Sequence, residues 1–130
     1  ALDTLLLTLP VASGVVRTMH VRADRMQAAL SDEMLATELA DYLVSKGAPF
    51  RLAHHLVGQV VRRALEHGSG LRQLPLTEYQ AVSPLFEPDV TDWLDFERAV
   101  ERRTSRGGTA RQALTDQLAE AEQALELDEH

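Results

Sequence analysis

Asp32, Glu38 and Asp41 fall within one predicted helix, and carboxylates held together are the minimum equipment for general acid–base chemistry. A solvated acidic face is the plainer account of the same spacing, so we assign them no catalysis. His54-His55 invites a metal reading, but adjacent helical positions diverge by about 100°, unlike the one-turn spacing of a zinc-binding pair. His20 and His67 stand at no ligand spacing from them, and His130 sits on an end expected to fray. Arg62-Arg63, and Arg102-Arg103 with Arg106, could grip a carboxylate ligand or an acidic partner surface. Ion pairing with nearby Glu66, Glu97 and Glu101 is the simpler use. Gly107-Gly108-Thr109 leads into a helix N-terminus that could hold an anion, yet no preceding strand and no Lys-Ser/Thr pair complete a phosphate loop, so a turn with Thr109 as cap is expected. Trp93 and Phe96 beside Phe86 read as satellite core rather than an exposed anchor. Ser105 has no local histidine–acid arrangement to activate it.

The elements that must position these residues are helices. Leu2, Leu5, Leu9, Ala12, Val16, Met19, Ala23, Met26 and Leu30 recur at three-four spacing, the pattern of a bundle seam. Leu6, Leu7, Val11 and Val15 widen that face, so several neighbouring helices are expected around it. Pro10 and Gly14 predict a kink near residue 10, and Val21 a second break. Ser31 is read as the cap of a helix that runs to Lys46 and stops at Gly47. Pro49 opens the next helix, whose apolar row Leu52, Leu56, Val60 and Ala64 is flanked by Val57 and Val61, until Gly68-Ser69-Gly70 ends it. These two helices make an αα-hairpin. Thr77 with Gln80 forms a capping-box pattern ahead of a short helix closed by Ser83-Pro84. A further helix is expected over roughly Asp95 to Arg103. Thr109 with Gln112 repeats the capping pattern before a last helix carrying Ala113, Leu114, Leu118, Ala121 and Leu125, with Asp128-Glu129-His130 fraying. The sequence contains no internal repeat, low-complexity tract or clear strand. The expected fold is all-α: a long bundle helix over residues 1–30, then a compact multi-helix domain over residues 31–130.

Composition agrees with a helical globular protein. The 130 residues are 45% hydrophobic and only 5% aromatic, which leaves the core to Leu, Val and Ala. A formal net charge of −7 argues against a phosphate-backbone partner, so nucleic acid is not expected. No cysteine is present, which excludes disulfides and thiolate chemistry and favours a cytoplasmic address. The apolar opening lacks a basic n-region and is too short to span a membrane. Because the chain starts at Ala1 and not Met, we expect a piece processed or excised from a longer polypeptide.

The run Met34-Leu35-Ala36-Thr37-Glu38-Leu39-Ala40-Asp41-Tyr42-Leu43-Val44, continued by Lys46-Gly47-Ala48-Pro49-Phe50-Arg51 and Ala53-His54, closely resembles the C-terminal region of argininosuccinate lyases. Ser83-Pro84-Leu85-Phe86 and Gly107-Gly108-Thr109-Ala110 follow in the same order, and Gly14-Val15-Val16 with Arg25-Met26 resembles the preceding bundle helix. The resemblance implies the fumarase/aspartase superfamily: cofactor-independent homotetramers in which a base on a mobile serine loop starts a β-elimination, splitting argininosuccinate reversibly into arginine and fumarate. That loop, G-S-S-x-M-P-x-K-x-N-P, is missing from this sequence, as are the upstream histidine and lysine segments. Ser13, Ser31, Ser45, Ser69, Ser83 and Ser105 lack its context. No catalytic, cofactor-binding or metal-binding residue carries over, and the chain alone is expected to be inactive. Its implied partners are the remainder of the lyase chain and identical subunits, with self-association through residues 1–30. The alternatives are a stand-alone helical interaction module and a crystallin-like structural derivative of the same lyase.

Overall fold

Leucine and valine at three-four spacing, with few residues that favour strands, produce helices from the first described residue onward. The computed structural model describes residues 2–128, and among these no strand occurs. Ala1, Glu129 and His130 lie outside the described residues, and with them the last two residues of the end expected to fray. Contacts divide the chain into two compact units, residues 1–30 and 31–130.

The first unit consists of α1 (Leu2–Thr18) and α2 (Ala23–Ala28). The stretch expected as one long helix is therefore divided. Its break lies at residues 19–22, around Val21 as expected, and α1 stays helical through Pro10. Pro10 contributes no N–H, so the carbonyl one turn earlier loses its usual donor while the helix continues. Neither helix buries a residue. Leu5, Leu9, Val16 and Met26 are all exposed, leaving the apolar stripe without a partner inside its unit.

The second unit is built on a hairpin. A 3-10 turn at Asp32–Leu35 leads into α3 (Ala36–Ser45), and a short link leads to α4 (Phe50–Glu66). The link is set by Gly47 at φ +94°, a conformation that a side chain disfavours. Gly47 N–H donates to Val44 O and Ala48 N–H to Leu43 O, the paired bonds of a Schellman stop, with Leu43 and Ala48 both buried. The same pattern ends α4: Gly68 has φ +62°, and Ser69 N–H reaches Ala64 O. Leu35, Leu39, Tyr42 and Leu43 face Ala53, Val57, Val60 and Ala64 in the core. The buried row of α4 therefore starts at Ala53 and not at the expected Leu52, which is exposed. Leu56 and Val61 pack at the margin.

Shorter elements close the core from the other side. A 3-10 turn at Leu71–Gln73, α5 (Leu76–Val82), a 3-10 turn at Pro88–Trp93 and α6 (Phe96–Glu101) supply Leu71, Tyr79, Phe86, Val90 and Leu94. Burying each such side chain contributes roughly 1.5–3 kcal/mol. Helix α7 (Arg111–Asp128) follows.

Three expected caps are corrected. Ser31 makes no side-chain cap, because a 3-10 turn begins the chain's entry into α3. Thr77 lies inside α5, whose N-cap is Pro75, its fixed φ of −60° already suited to that place. Gln112 donates to Asp116, while Arg111 N–H at the start of α7 is met by the Glu101 carboxylate at 3.3 Å. The real side-chain cap is Asp95, which accepts from Arg98 N–H at 2.8 Å and starts α6. Both 3-10 turns after α4 went unread, since a three- to six-residue segment carries too little periodicity.

Candidate functional site

Glu38 is placed by its helix against the C-terminal end of α6, and it is 4% exposed. Arg102 Nη2 donates to Glu38 Oε2 at 2.9 Å, and Arg103 Nη2 donates to the other oxygen. Arg103 also reaches Asp41 at 3.3 Å. Arg102 further donates to the backbone carbonyls of Asp92 and Trp93 and lies over the Trp93 ring, 4.4 Å from its centroid. Asp32 accepts from the Arg72 guanidinium at 2.7 Å and from Arg72 N–H at 3.3 Å. The solvated acidic face expected for Asp32, Glu38 and Asp41 is thus overturned: each carboxylate ties α3 or its leading turn to an arginine from a distant element. A buried carboxylate needs such partners, because leaving water costs more than an unpaired charge can recover. Glu38 is thereby held at both of its oxygens, whereas Asp41 has the single contact to Arg103.

A second network was not read from the sequence. Tyr42 is fully buried, and its hydroxyl donates to Asp89 at 2.6 Å while accepting from Glu87 N–H at 3.0 Å. Lys46, the one lysine in the sequence, donates to Glu87 at 2.7 Å and Asp89 at 2.9 Å. Burial pushes the Tyr42 hydroxyl up, reinforced by the Asp89 bond. The Tyr42 hydroxyl, then Lys46, hold Asp89 below the usual carboxylate range. Lys46 is held above its ordinary range by Glu87 first and Asp89 second. A protonated, clamped lysine is a poor base and nucleophile. The signal that could have found this cluster is Tyr42 itself, a polar group on the same face as Leu35, Leu39 and Leu43.

The other candidates separate. His54 and His55 are exposed and diverge: His55 meets Gln59 at 3.0 Å and His54 tilts against Phe50. His67 approaches Glu78, to which Arg63 also donates at 2.6 Å, and His20 stands in the first unit. Among the described residues no group of three His, Asp or Glu side chains is placed to hold a metal ion. The arginine clusters do form ion pairs, with partners other than those expected: Arg63 takes Glu78, Arg106 takes Glu120, and Glu101 takes Arg111. Gly107-Gly108 makes a turn in which Gly108 N–H donates to Ser105 O, and Ser105 is exposed. Phe86 is fully buried between Tyr42 and Tyr79, so it belongs to the main core, with Trp93 and Phe96 packed at its edge. An apolar groove of ≈ 290 Å³ lies between α3 and α4, lined by Ala36, Ala40, Phe50, His54, Val57 and Val61.

This arrangement is a scaffold held by ion pairs, and its lineage is decided by comparison. Residues 33–101 match the family model described as argininosuccinate lyase C-terminal. The chain belongs to the argininosuccinate lyase family. It is 52% identical over 126 residues to the argininosuccinate lyase of Roseiflexus sp. (strain RS-1), covering 97% of this chain and 28% of that protein. It is 52% identical over 127 residues to the argininosuccinate lyase of Chloroflexus aurantiacus, covering 98% and 28%. The Candida albicans argininosuccinate lyase is 46% identical over 119 residues, covering 91% and 25%. The chain therefore spans just over a quarter of the length of these lyases and corresponds to their C-terminal portion. Within the argininosuccinate lyase match fall Glu38, Asp41, Tyr42, Lys46, Glu87 and Asp89, while Arg102 and Arg103, the partners of Glu38, follow just beyond its end. No helix is long and apolar enough to cross a membrane among the described residues.

Proposed function

We propose that this chain serves as the assembly and supporting part of an argininosuccinate lyase, whose complete form splits argininosuccinate reversibly into arginine and fumarate by β-elimination. The observation that carries the reading is the match along 97% of the chain to lyases of which it spans only 28%. In this reading residues 1–30 end the central helix bundle and residues 31–130 form the C-terminal helical domain. No residue here is catalytic. The ion-paired acids support that assignment, since Glu38 and Asp41 are committed to Arg102 and Arg103. The chemistry needs no cofactor and resides in the remainder of the lyase chain.

Self-association through α1 and α2 belongs to the same proposal. An unpartnered row of Leu2, Leu5, Leu9 and Val16 is the kind of surface that identical subunits bury in a bundle. The α3–α4 hairpin then stands near the assembled site and affects its closure. The enzyme's address in this reading is the cytoplasm, to which a cysteine-free sequence is suited. The test is direct. Purified chain incubated with argininosuccinate should release no fumarate by absorbance at 240 nm (a wavelength of about that value suits the conjugated diacid), and a complete lyase lacking residues 31–130 should lose turnover at matched assembly. Fumarate from the chain alone, or equal turnover by the truncated enzyme, would overturn the proposal.

A further inference from the structure

Glu38, Tyr42 and Lys46 recur every four residues, so they form one row along α3 and the residue that follows its end. Residues 87–103 run along this row in the opposite direction. At the end of α3, Lys46 donates to Glu87 and Asp89. One turn earlier, the Tyr42 hydroxyl donates to Asp89 and accepts from Glu87 N–H, and Trp93 packs edge-on against the Tyr42 ring with centroids 5.6 Å apart. In the first turn, Glu38 accepts from Arg102 and Arg103. The two ion-pair networks are therefore the two ends of a single strap. Trp93 joins them, since it packs on Tyr42 and lies under Arg102. Reversing the strap would set Arg102 against Lys46, so charge fixes its direction.

Polar contacts do most of the fastening. Val90 and Leu94 are the strap's buried apolar side chains, whereas every residue of α6 keeps some exposure. The hairpin beneath it instead joins α3 to α4 through Leu35, Leu39, Leu43, Val57 and Val60. Helix α7 depends on the strap in turn. Its polar ties to the rest of the chain, among the described residues, end on residues 101–108: Arg111 N–H donates to Glu101, Gln117 donates to Gly108 O, and Glu120 accepts from Arg106. Ala110 N–H, just ahead of α7, donates to Arg103 O.

We propose that residues 87–103 unfasten from α3 as one cooperative unit, releasing α7 with them while the α3–α4 hairpin stays folded. A segment with few buried apolar contacts opens at lower cost than the core it covers. The shared contacts at Tyr42 and Trp93 make its two ends open together. The strap thus decides whether α7 is fastened to its domain, and this does not rest on the lyase reading.

Native-state hydrogen exchange of the chain, followed amide by amide at rising urea below the unfolding transition, tests the proposal. The hydrogen-bonded amides of Val90, Leu94, Ala99 and Ala110 should converge on one opening. It should be about tenfold or more easier than that of Val57 and Val60 in α4, with a weaker dependence on urea. Lys46→Met, at one end of the strap, should raise exchange at Ala99 by the same factor as at Val90, roughly threefold. Glu38→Gln, at the other end, should raise exchange at Val90 by the same factor as at Ala99, about tenfold. Circular dichroism checks that each variant is folded, and the unsubstituted chain decides the first result without them. Strap amides that open only together with Val57 and Val60 would overturn the proposal, as would substitutions whose effects stay at their own ends. Ala110 exchanging apart from the strap would contradict the release of α7.

Discussion

At the scale of single residues, the second unit is held by buried ion pairs whose partners lie far apart in sequence. Arg102 satisfies Glu38 and two backbone carbonyls, so Arg102→Met should destabilise the chain by about 2 kcal/mol in urea unfolding, leaving a buried carboxylate with one partner. Arg106→Met, breaking the exposed pair with Glu120, should change stability by less than about 0.5 kcal/mol. Equal effects would contradict the distinction. Both tyrosines in the sequence, Tyr42 and Tyr79, are buried, and burial pushes both hydroxyls above their ordinary value. A raised folded value means the unfolded chain loses the proton first, so this stabilisation is present below about pH 10 and is lost as pH rises through the folded values. Absorbance titration near 295 nm (about the tyrosinate band) should show no early-ionising tyrosine and a transition coincident with unfolding. One tyrosine titrating at its ordinary value would contradict the burial account. Asp89 has the opposite sign: its lowered value contributes stability above the unfolded carboxylate range that is lost on acidification. Residue types alone pointed to Glu38, Asp41 and Arg102-Arg103, but the 64-residue separation of Glu38 from Arg102 hid that they meet.

At the scale of elements, the strongest stops are the two glycines that end α3 and α4. Gly47→Ala should cost about 1–2 kcal/mol, because its φ of +94° strains any side chain. Gly58→Ala, within α4 and with open space around its Cβ position, should stabilise the chain by roughly 0.5–1 kcal/mol. Thermal unfolding of both variants checks the contrast, and a stabilising Gly47→Ala would refute the Schellman stop. The hairpin was legible because long periodic helices bounded by Gly47, Pro49 and Gly68 leave little choice of element. Of its expected row, Val60 and Ala64 are buried and Leu56 is packed at the margin, while Leu52 is exposed and Ala53 and Val57 complete the buried face. The capping boxes failed as well. Thr77 and Thr109 have the right spacing, yet α5 already begins after Pro75, which puts Thr77 inside the helix, and the Glu101 carboxylate meets Arg111 N–H at the start of α7.

At the scale of the whole molecule, the sequence resemblance and the matched family agree. What periodicity could not identify is the neighbour of the α1 stripe, since an exposed leucine row specifies burial and not the surface that buries it. In the function proposed above, that surface is the helix bundle of a complete lyase. The central claim is therefore that this chain can stand in for the C-terminal portion of an active relative. Replacing the matching portion of the Chloroflexus aurantiacus lyase with this chain tests it most directly. Fumarate release from argininosuccinate should persist in the chimera within about tenfold of the parent, a loss of no more than roughly 1.4 kcal/mol in the barrier. A folded, assembled chimera with no turnover would contradict the account.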